Sequence, residues 1–158
     1  PKENLLGMEG MGFIMLMKEL AWERMLVAII CQAGAEAAFA HTVQYTKDRK
    51  AFGKPIGAFQ NTRFKLAELR TDIDFCRTYL DRCMELQLEE KLSVEAAAAA
   101  KYKISDMFSK IVDECLQLHG GYGYMLEYPI ARAYIDHRAN RIYAGTNEIM
   151  KELISRTL

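Results

Sequence analysis

Apolar residues recur along this chain at intervals of three and four positions, the spacing that places side chains on one face of an α-helix. The clearest series is Leu66, Leu69, Ile73, Cys76, Leu80 and Cys83. It predicts a helix over about 58–88 that packs at a shallow crossing angle, as in a helical bundle. A predicted helix over about 12–47 carries a second series on one face: Leu26, Ile30, Ala33, Ala37 and Ala40. Small residues at 33–38 would let a neighbouring helix approach closely.

Capping residues delimit the remaining predicted helices. Ser93 is a predicted N-cap for a third helix that ends near Leu118. Its apolar stripe is Ile104, Phe108, Ile111, Cys115 and Leu118. A loop rich in glycine and aromatic residues follows at 119–128, and Pro129 suits the first turn of a short helix to about 137. Thr146 is a predicted N-cap for the last helix, whose predicted apolar side is Ile149, Met150, Leu153 and Ile154.

These elements predict an all-α fold, an antiparallel up-down four-helix bundle with short C-terminal helices. No segment shows the sustained alternation of a β-strand. At 158 residues the chain is long enough for one domain that buries roughly 70% of its unfolded surface. Lysine plus arginine and aspartate plus glutamate both number 21, so the zero net charge argues against a general nucleic-acid or anionic-membrane surface.

Other compositional features narrow the chemistry. No apolar run reaches the roughly 18 residues of a membrane span, so none is predicted. The four cysteines lie in apolar helical patterns without a CxxC pair, which predicts buried, reduced thiols. There is no Glu-x-x-His pair and no metal-ligand spacing among the three histidines, so no metal site is expected. Nucleophile-elbow, Walker and dinucleotide fingerprints are also absent.

Three loops carry the remaining candidate chemistry. Residues 49–56 place cations and an aromatic ring at a helix end, and residues 117–124 offer backbone that a ligand can approach closely. Residues 143–148 place free amides at a helix N-terminus, which suits an anion or an oxygen atom. Each loop alone is weak evidence, because an Arg-Lys pair is usually a solvated surface and Gly-Gly is usually a turn.

The loops form an ordered set: Arg49-x-x-Phe52-Gly53-x-Pro55-Ile56 with Gln60, then Gln117-Leu118-His119-Gly120-Gly121-x-Gly123-Tyr124, then Ala144-Gly145-Thr146-Asn147-Glu148-Ile149. In order and separation the set resembles the C-terminal helical domain of the acyl-CoA dehydrogenase family, over nearly the whole chain. Residues 1–8 resemble the exit from the family's middle β-domain. The resemblance therefore implies that 9–158 form the bundle domain and that the family's N-terminal α and middle β domains lie outside this chain.

The resemblance implies FAD-dependent oxidation of an acyl-CoA thioester to a trans-2-enoyl-CoA, in fatty-acid or branched-chain acyl oxidation. A glutamate takes the α-proton while the β-hydrogen leaves as hydride to flavin N5, and electrons pass to an electron-transfer flavoprotein. Many family members carry the base directly before the last Gly-Thr, where this chain has Ala144. Residues 20–26 resemble the long-chain and isovaleryl branch, whose base lies on the first long helix, so the expected base is Glu23. Taken alone, Glu23 would be one member of a surface charge cluster.

The family's other site positions also carry over. Arg24 is expected beside Glu23 and the substrate, where its charge favours the carboxylate form. The Ala144 amide is expected to donate to the thioester carbonyl, with Gly145 beside it. The expected FAD contacts are Arg49, Phe52 and Gln60 for the adenosine diphosphate, Gln117, Leu118, His119, Gly120 and Gly121 for the pyrophosphate, and Thr146, Asn147 and Glu148 for the flavin. The first two sets would come from a neighbouring subunit, which implies a homo-oligomer, a dimer or tetramer.

Several alternatives remain open. Trp22 is expected either to narrow the acyl pocket or to pack against another domain. The function could instead be that of a monooxygenase-like or nitroalkane-oxidase-like relative, or of an oligomerisation module with no activity of its own. The isolated chain is expected to be inactive, to self-associate, and to bind FAD weakly or not at all. The resemblance implies a soluble enzyme, cytoplasmic in a bacterium and in the mitochondrial matrix in a eukaryote.

Overall fold

The computed structural model describes all 158 residues, which fold into five α-helices and one small hairpin. The α-helices are α1 Gly12–Asp48, α2 Gln60–Leu88, α3 Val94–His119, α4 Pro129–Asp136 and α5 Asn147–Ser155. Strands β1 Lys50–Ala51 and β2 Lys54–Pro55 pair antiparallel between α1 and α2. Short 3-10 turns cover Lys2–Asn4, Ile56–Ala58, Gly120–Tyr124 and His137–Arg141. The prediction of an all-α bundle with short C-terminal helices is confirmed.

The core lies between the three long helices. Helix α3 packs most extensively on α1, because Gly34 leaves room for the ring of Phe108. A Cβ at Gly34 would lie only 2.6 Å from Phe108 Cζ, so the small residue is what permits this approach. On α2 the predicted series supplies the buried side chains Leu69, Ile73, Cys76, Leu80 and Cys83. Antiparallel α2 and α3 are joined further by the ion pairs Lys65–Glu114 and Lys110–Asp72.

Local signals in the sequence set the helix ends. The Ser93 side chain accepts from the Ala96 amide at 3.1 Å and caps α3, as predicted. Thr146 caps α5 in the same way, accepting from the Ile149 amide at 3.3 Å. Helix α2 ends in a Schellman-type turn, where the Glu90 and Lys91 amides donate to the Gln87 and Leu86 carbonyls. Glu90 thereby takes a positive φ of 56°, a conformation that favours glycine.

The apolar series predicted for α1 and α5 only partly coincide with the buried faces of these helices. Leu26 and Ile30 share one face of α1, but that face points outward and Ile30 is 57% exposed. The core side of α1 is built mainly from small or polar residues: Met25, Val27, Ala28, Cys31, Gln32, Ala35, Ala38, Thr42 and Thr46. On α5, Met150 is fully buried whereas Ile149 is half exposed, so the predicted apolar side of α5 was only partly right.

By length and composition alone, α1 could cross a membrane, since an 18-residue window within it has a mean hydropathy of 1.4. A core helix of a water-soluble protein passes the same test, and α1 packs along α3 and α2. The sequence analysis predicted no apolar stretch long enough to span a membrane, whereas α1 contains a window that is long and apolar enough to do so. All four cysteines are buried and unpaired, as predicted.

Candidate functional site

The loop that precedes α5 contains two consecutive residues with positive φ. Ala144 has a φ of 54° and Gly145 a φ of 90°. A Cβ at Gly145 would lie 2.7 Å from Met150 Cε, so glycine serves both the conformation and the close packing there. Alanine rarely adopts a positive φ because its Cβ crowds the backbone, so surrounding contacts must hold Ala144 in place.

Those contacts come from the buried side of α3. Lys101 is 0% exposed, and its Nζ donates to the Gly145 carbonyl at 2.7 Å and to Asn147 Oδ1 at 2.9 Å. The Asn147 side chain, only 1% exposed, donates in turn to Ser105 Oγ at 3.0 Å and to Asp106 Oδ1 at 2.9 Å. Asn147 thus binds within the chain, while Thr146 and Glu148 lie at the outer side of the α5 N-terminus.

Two charged groups near the N-terminus of α5, Glu148 and Lys101, have pKa values below their usual ones. Hydrogen bonding by its own backbone amide, together with the Thr146 hydroxyl, lowers the pKa of Glu148. Burial lowers the pKa of Lys101, although the negative charges of Cys31 (when ionised), Asp106 and Glu148 oppose the shift. The region therefore pairs an exposed carboxylate with a desolvated ammonium group beneath it.

Glu23 and Arg24 lie on α1 and differ sharply in exposure. The Glu23 side chain is exposed, as a group that meets a substrate must be. Arg24 is only 7% exposed and its Nε has no hydrogen-bond partner within the chain. Burial lowers the pKa of the Arg24 guanidinium and the adjacent Glu23 carboxylate opposes that shift. Burial is the main cause of the lowered pKa of Lys101, and the positive charge of Arg24 makes a small further contribution in the same direction.

Trp22, the neighbour of Glu23, packs against the chain's own core. It also lines a surface groove with Gln87 near the end of α2 and Leu92 of the α2–α3 connection. Its ring is therefore partly buried within this domain, and both expectations for Trp22 stay predictions.

A second group of site residues surrounds a groove at the other end of α1. Arg49 and the backbone of 117–121 line this groove together. Beneath them Tyr45 stacks on His119 with ring centroids 4.1 Å apart, and Tyr45 Oη donates to the His119 carbonyl at 3.2 Å. The His119 side chain is buried, and its Nδ1 donates to the Cys115 carbonyl at 2.8 Å. His119 therefore shapes the loop from inside, and its backbone faces the groove.

The surface of the groove is open and positively charged. Arg49 lies over the Tyr122 ring at 5.2 Å, which orients its guanidinium beside the glycine loop. A Cβ placed on Gly120 or Gly121 would meet no atom within 4 Å, so a ligand can reach the backbone there. Gly120 also has a positive φ of 58°.

Phe52 and Gln60 extend this second group. Phe52 and Gly53 form the tip of the hairpin, with φ of 50° and 79°, as in two-residue hairpin turns of type I′. Phe52 is 95% exposed, although its ring touches Phe59 edge-on at 6.3 Å. The hairpin turn accounts for the positive φ of Phe52, and its almost fully exposed ring is available for a contact with a group outside the chain. Gln60 is the exposed first residue of α2.

The structure thus brings the expected site residues together as two separate groups. One contains Glu23, Arg24 and the loop 144–148, and the other contains Arg49, Phe52, Gln60 and the loop 117–121. At 1.5 Å per residue, Glu23 and the end of α1 at Asp48 lie about 37 Å apart along the helix. That separation exceeds what one flavin dinucleotide spans.

Lys101 is the residue that the loop motifs did not reveal. It lies in an alanine-rich stretch, and a lysine there normally suggests an exposed helix face. Its spacing, four after Ala97 and three before Ile104, places it on the apolar stripe of α3. A charged residue on a core stripe is the signal that could have identified it, because buried lysines are rare unless paired.

Known proteins match this chain over nearly its whole length. Residues 10–158 match the family "Acyl-CoA dehydrogenase, C-terminal domain". The chain is 49% identical over 158 residues to the mitochondrial long-chain specific acyl-CoA dehydrogenase of Sus scrofa, covering 100% of this chain and 37% of that protein. The chain belongs to the acyl-CoA dehydrogenase family and corresponds to its C-terminal domain.

Solved structures show the same fold. An acyl-CoA dehydrogenase from Geobacillus kaustophilus superposes with a TM-score of 0.96 at 49% identity, covering 99% of this chain and 41% of that chain. A chain in a structure described as the electron transferring flavoprotein of Acidaminococcus fermentans gives a TM-score of 0.95 at 39% identity, covering 99% and 41%. The chain thus spans about two fifths of the length of these relatives.

Proposed function

We propose that this chain is the C-terminal domain of an FAD-dependent acyl-CoA dehydrogenase that oxidises an acyl-CoA thioester to a trans-2-enoyl-CoA. The observation that carries the proposal is the anchored loop at Ala144. Ala144 has a positive φ of 54°, and the buried Lys101 binds the carbonyl of Gly145, the next residue. The exposed Glu23 carboxylate on α1 is the proposed base.

In this proposal each group has a defined task. The Glu23 carboxylate accepts the α-proton of the thioester, and the Ala144 N–H donates to the thioester oxygen as negative charge develops on it. Gly145 keeps the space beside that amide free of a side chain. The α-carbon loses its proton to Glu23 and the β-carbon loses a hydride, which leaves the double bond.

The second group of residues fits the diphosphate and adenosine part of FAD. Arg49 supplies a forked cation, the accessible backbone of Gly120 and Gly121 permits close approach, and the exposed Phe52 ring offers a flat apolar surface. Gln60 adds a polar side chain at the uncapped start of α2. When bound, the flavin supplies the hydride acceptor at N5.

The distance between the two groups of residues supports a homo-oligomer, in which two copies of the chain complete one flavin site. Because about 37 Å separates Glu23 from the end of α1, a flavin held near Arg49 of one copy meets the Glu23 and Thr146 side of another copy. Thr146 and Glu148 would then contact the flavin from the subunit that carries the base. A dimer or a tetramer satisfies this requirement.

The relatives suggest the context of the reaction. The Sus scrofa relative is named for long-chain acyl-CoA and for mitochondria, and one structural relative is described with an electron transferring flavoprotein. We propose an electron-transfer flavoprotein as the acceptor, and a location in the mitochondrial matrix for a eukaryotic source or in the cytoplasm for a bacterial one. In the full-length protein, residues 1–8 would lead in from a middle β-domain.

The test is anaerobic reduction of the flavin in the full-length protein that carries this chain, titrated with straight-chain acyl-CoAs of several lengths and with isovaleryl-CoA. We expect loss of flavin absorbance with some of these thioesters. Glu23→Gln should retain FAD and reduce the rate of bleaching by at least about 10²-fold, because the carboxylate that takes the proton is gone. The matched control is Glu19→Gln, one turn earlier on α1, which should react like the wild type.

Each contrary result has a clear meaning. Bleaching of Glu23→Gln at the wild-type rate would remove Glu23 from the role of base. A wild-type protein that holds FAD but is bleached by none of the thioesters would instead favour the monooxygenase-like or nitroalkane-oxidase-like alternative.

A further inference from the structure

Lys101 occupies a position that stability alone does not explain. It is the largest side chain in the molecule that is completely buried, and removing an ammonium group from water is costly. The two oxygens that it binds, of Gly145 and Asn147, are neutral, so no adjacent carboxylate offsets that cost directly. A neutral side chain of similar length would fill the same volume without the desolvation.

Its two acceptors lie in the strained loop and at the start of the helix that follows it. The Gly145 carbonyl follows the positive φ of Ala144 and of Gly145, and Asn147 is the first residue of α5. Asn147 is held in addition by Ser105 and Asp106. The Gly145 carbonyl has no such second anchor among the chain's side chains, so Lys101 is the side chain that fixes the middle of the loop to α3.

We propose that Lys101 is a positioning residue, whose ammonium group holds the Gly145 carbonyl and Asn147 so that the Ala144 N–H points at the thioester oxygen. This inference rests on the proposed function of the Ala144 amide. Fixing the Gly145 carbonyl limits rotation of the backbone on both sides of it. The Ala144 amide lies two peptide units before that carbonyl, so the anchor restricts its direction before any ligand arrives, and a preorganised donor stabilises developing charge most effectively.

A pair of ligands separates positioning from simple folding stability. The first is a 3-oxa-acyl-CoA, which has no β-hydrogen to lose and carries the thioester carbonyl. The second is its thioether analogue, in which a methylene group replaces that carbonyl and no hydrogen bond from Ala144 is possible. The ratio of their dissociation constants, measured by titrating the FAD-loaded full-length protein, reports the hydrogen bond to the carbonyl.

We expect Lys101→Met to bind the carbonyl ligand about tenfold more weakly while binding of the thioether is unchanged, since roughly one hydrogen bond is misdirected. The rate of flavin reduction by an acyl-CoA should fall by about 10²-fold, with FAD still bound. Lys101→Gln, which keeps a shorter donor, should give an intermediate ratio. Lys103→Met, an exposed lysine of α3 two residues away, is the matched control and should match the wild type.

The outcomes distinguish this inference from the proposed function beneath it. If folded Lys101→Met prefers the carbonyl ligand over the thioether as strongly as the wild type does, only the positioning role of Lys101 is overturned. Equal weakening of both ligands, or failure of both Lys101 variants to fold while Lys103→Met folds, assigns Lys101 to stability alone and also overturns it. Absence of any carbonyl preference in the wild type would contradict the role of the Ala144 amide itself.

Discussion

At the scale of single residues, two buried histidines make the stability of the fold depend on pH. His119 and His137 are both buried, and burial lowers the pKa of each below the usual 6.5. The unfolded chain therefore takes up protons at a higher pH than the folded chain. Their contribution is fully present above pH 6.5 and is lost as the pH falls toward the folded-state values.

We expect the free energy of unfolding to decrease below pH 6.5, by at most about 1.4 kcal/mol per pH unit for each histidine. His137→Phe should flatten this dependence, because phenylalanine cannot be protonated and can still pack edge-on against Phe108. Urea unfolding at pH 7.5 and pH 5.5 measures the difference. His41→Phe is the control, since His41 is exposed. An equal pH dependence in His137→Phe and the wild type would contradict the prediction.

The sequence predicts the residues that belong to loop motifs better than the residues that support those loops from within the fold. Arg49 and the glycine loop were predicted because the ordered set of loop motifs resembles the acyl-CoA dehydrogenase family, and the structure places them around one groove. Lys101 and Tyr45 were not predicted, because they support the loops through contacts distant in sequence. Asn147 was expected to contact the flavin, and a sequence motif has no means of showing that its side chain points inward.

At the scale of elements, the end of α2 contains a strain that one substitution should remove. Glu90 has a positive φ at the position where helices commonly use glycine, and it forms no ion pair. We expect Glu90→Gly to raise the free energy of unfolding by about 1 kcal/mol. Glu89→Gly is the control, because Glu89 has an ordinary φ of −85° and gains nothing from glycine. The measurement is thermal unfolding of both variants. Equal changes in the unfolding midpoints of Glu90→Gly and Glu89→Gly would contradict the explanation.

The helices themselves were predictable to within about two residues because their periodicity, caps and breakers agree. The longest apolar series of helix α2 coincides with its buried face, so that face followed from the sequence, although Phe64 and Phe75 point outward. Helix α1 has apolar residues on most of its surface, and periodicity shows which residues share a face without showing which face is buried. Gln32 and Thr42 are completely buried on the core side, whereas Ile30 points outward. Packing against α3 decides this, through the fit of Phe108 to Gly34.

At the scale of the whole molecule, the outward face of α1 exposes apolar residues that no other part of a single copy covers. Leu26 and Ile30 are 42% and 57% exposed, and the small residues Ala33, Ala37 and Ala40 continue the same face. The face runs for about 21 Å along the helix. Apolar surface of this extent is unfavourable in water and is typical of a contact surface.

We expect this face to mediate self-association of the purified chain, in agreement with the two-copy site proposed from the distance between Glu23 and the end of α1. Ile30→Glu should shift the chain toward monomer in sedimentation velocity, because association would bury an unpaired carboxylate. Leu88→Glu introduces the same charge at an exposed apolar residue at the end of α2 and should leave the distribution unchanged. If Ile30→Glu associates as strongly as the wild type, the α1 face lies outside the contact between copies. A second domain of the full-length protein would then be the partner that covers it.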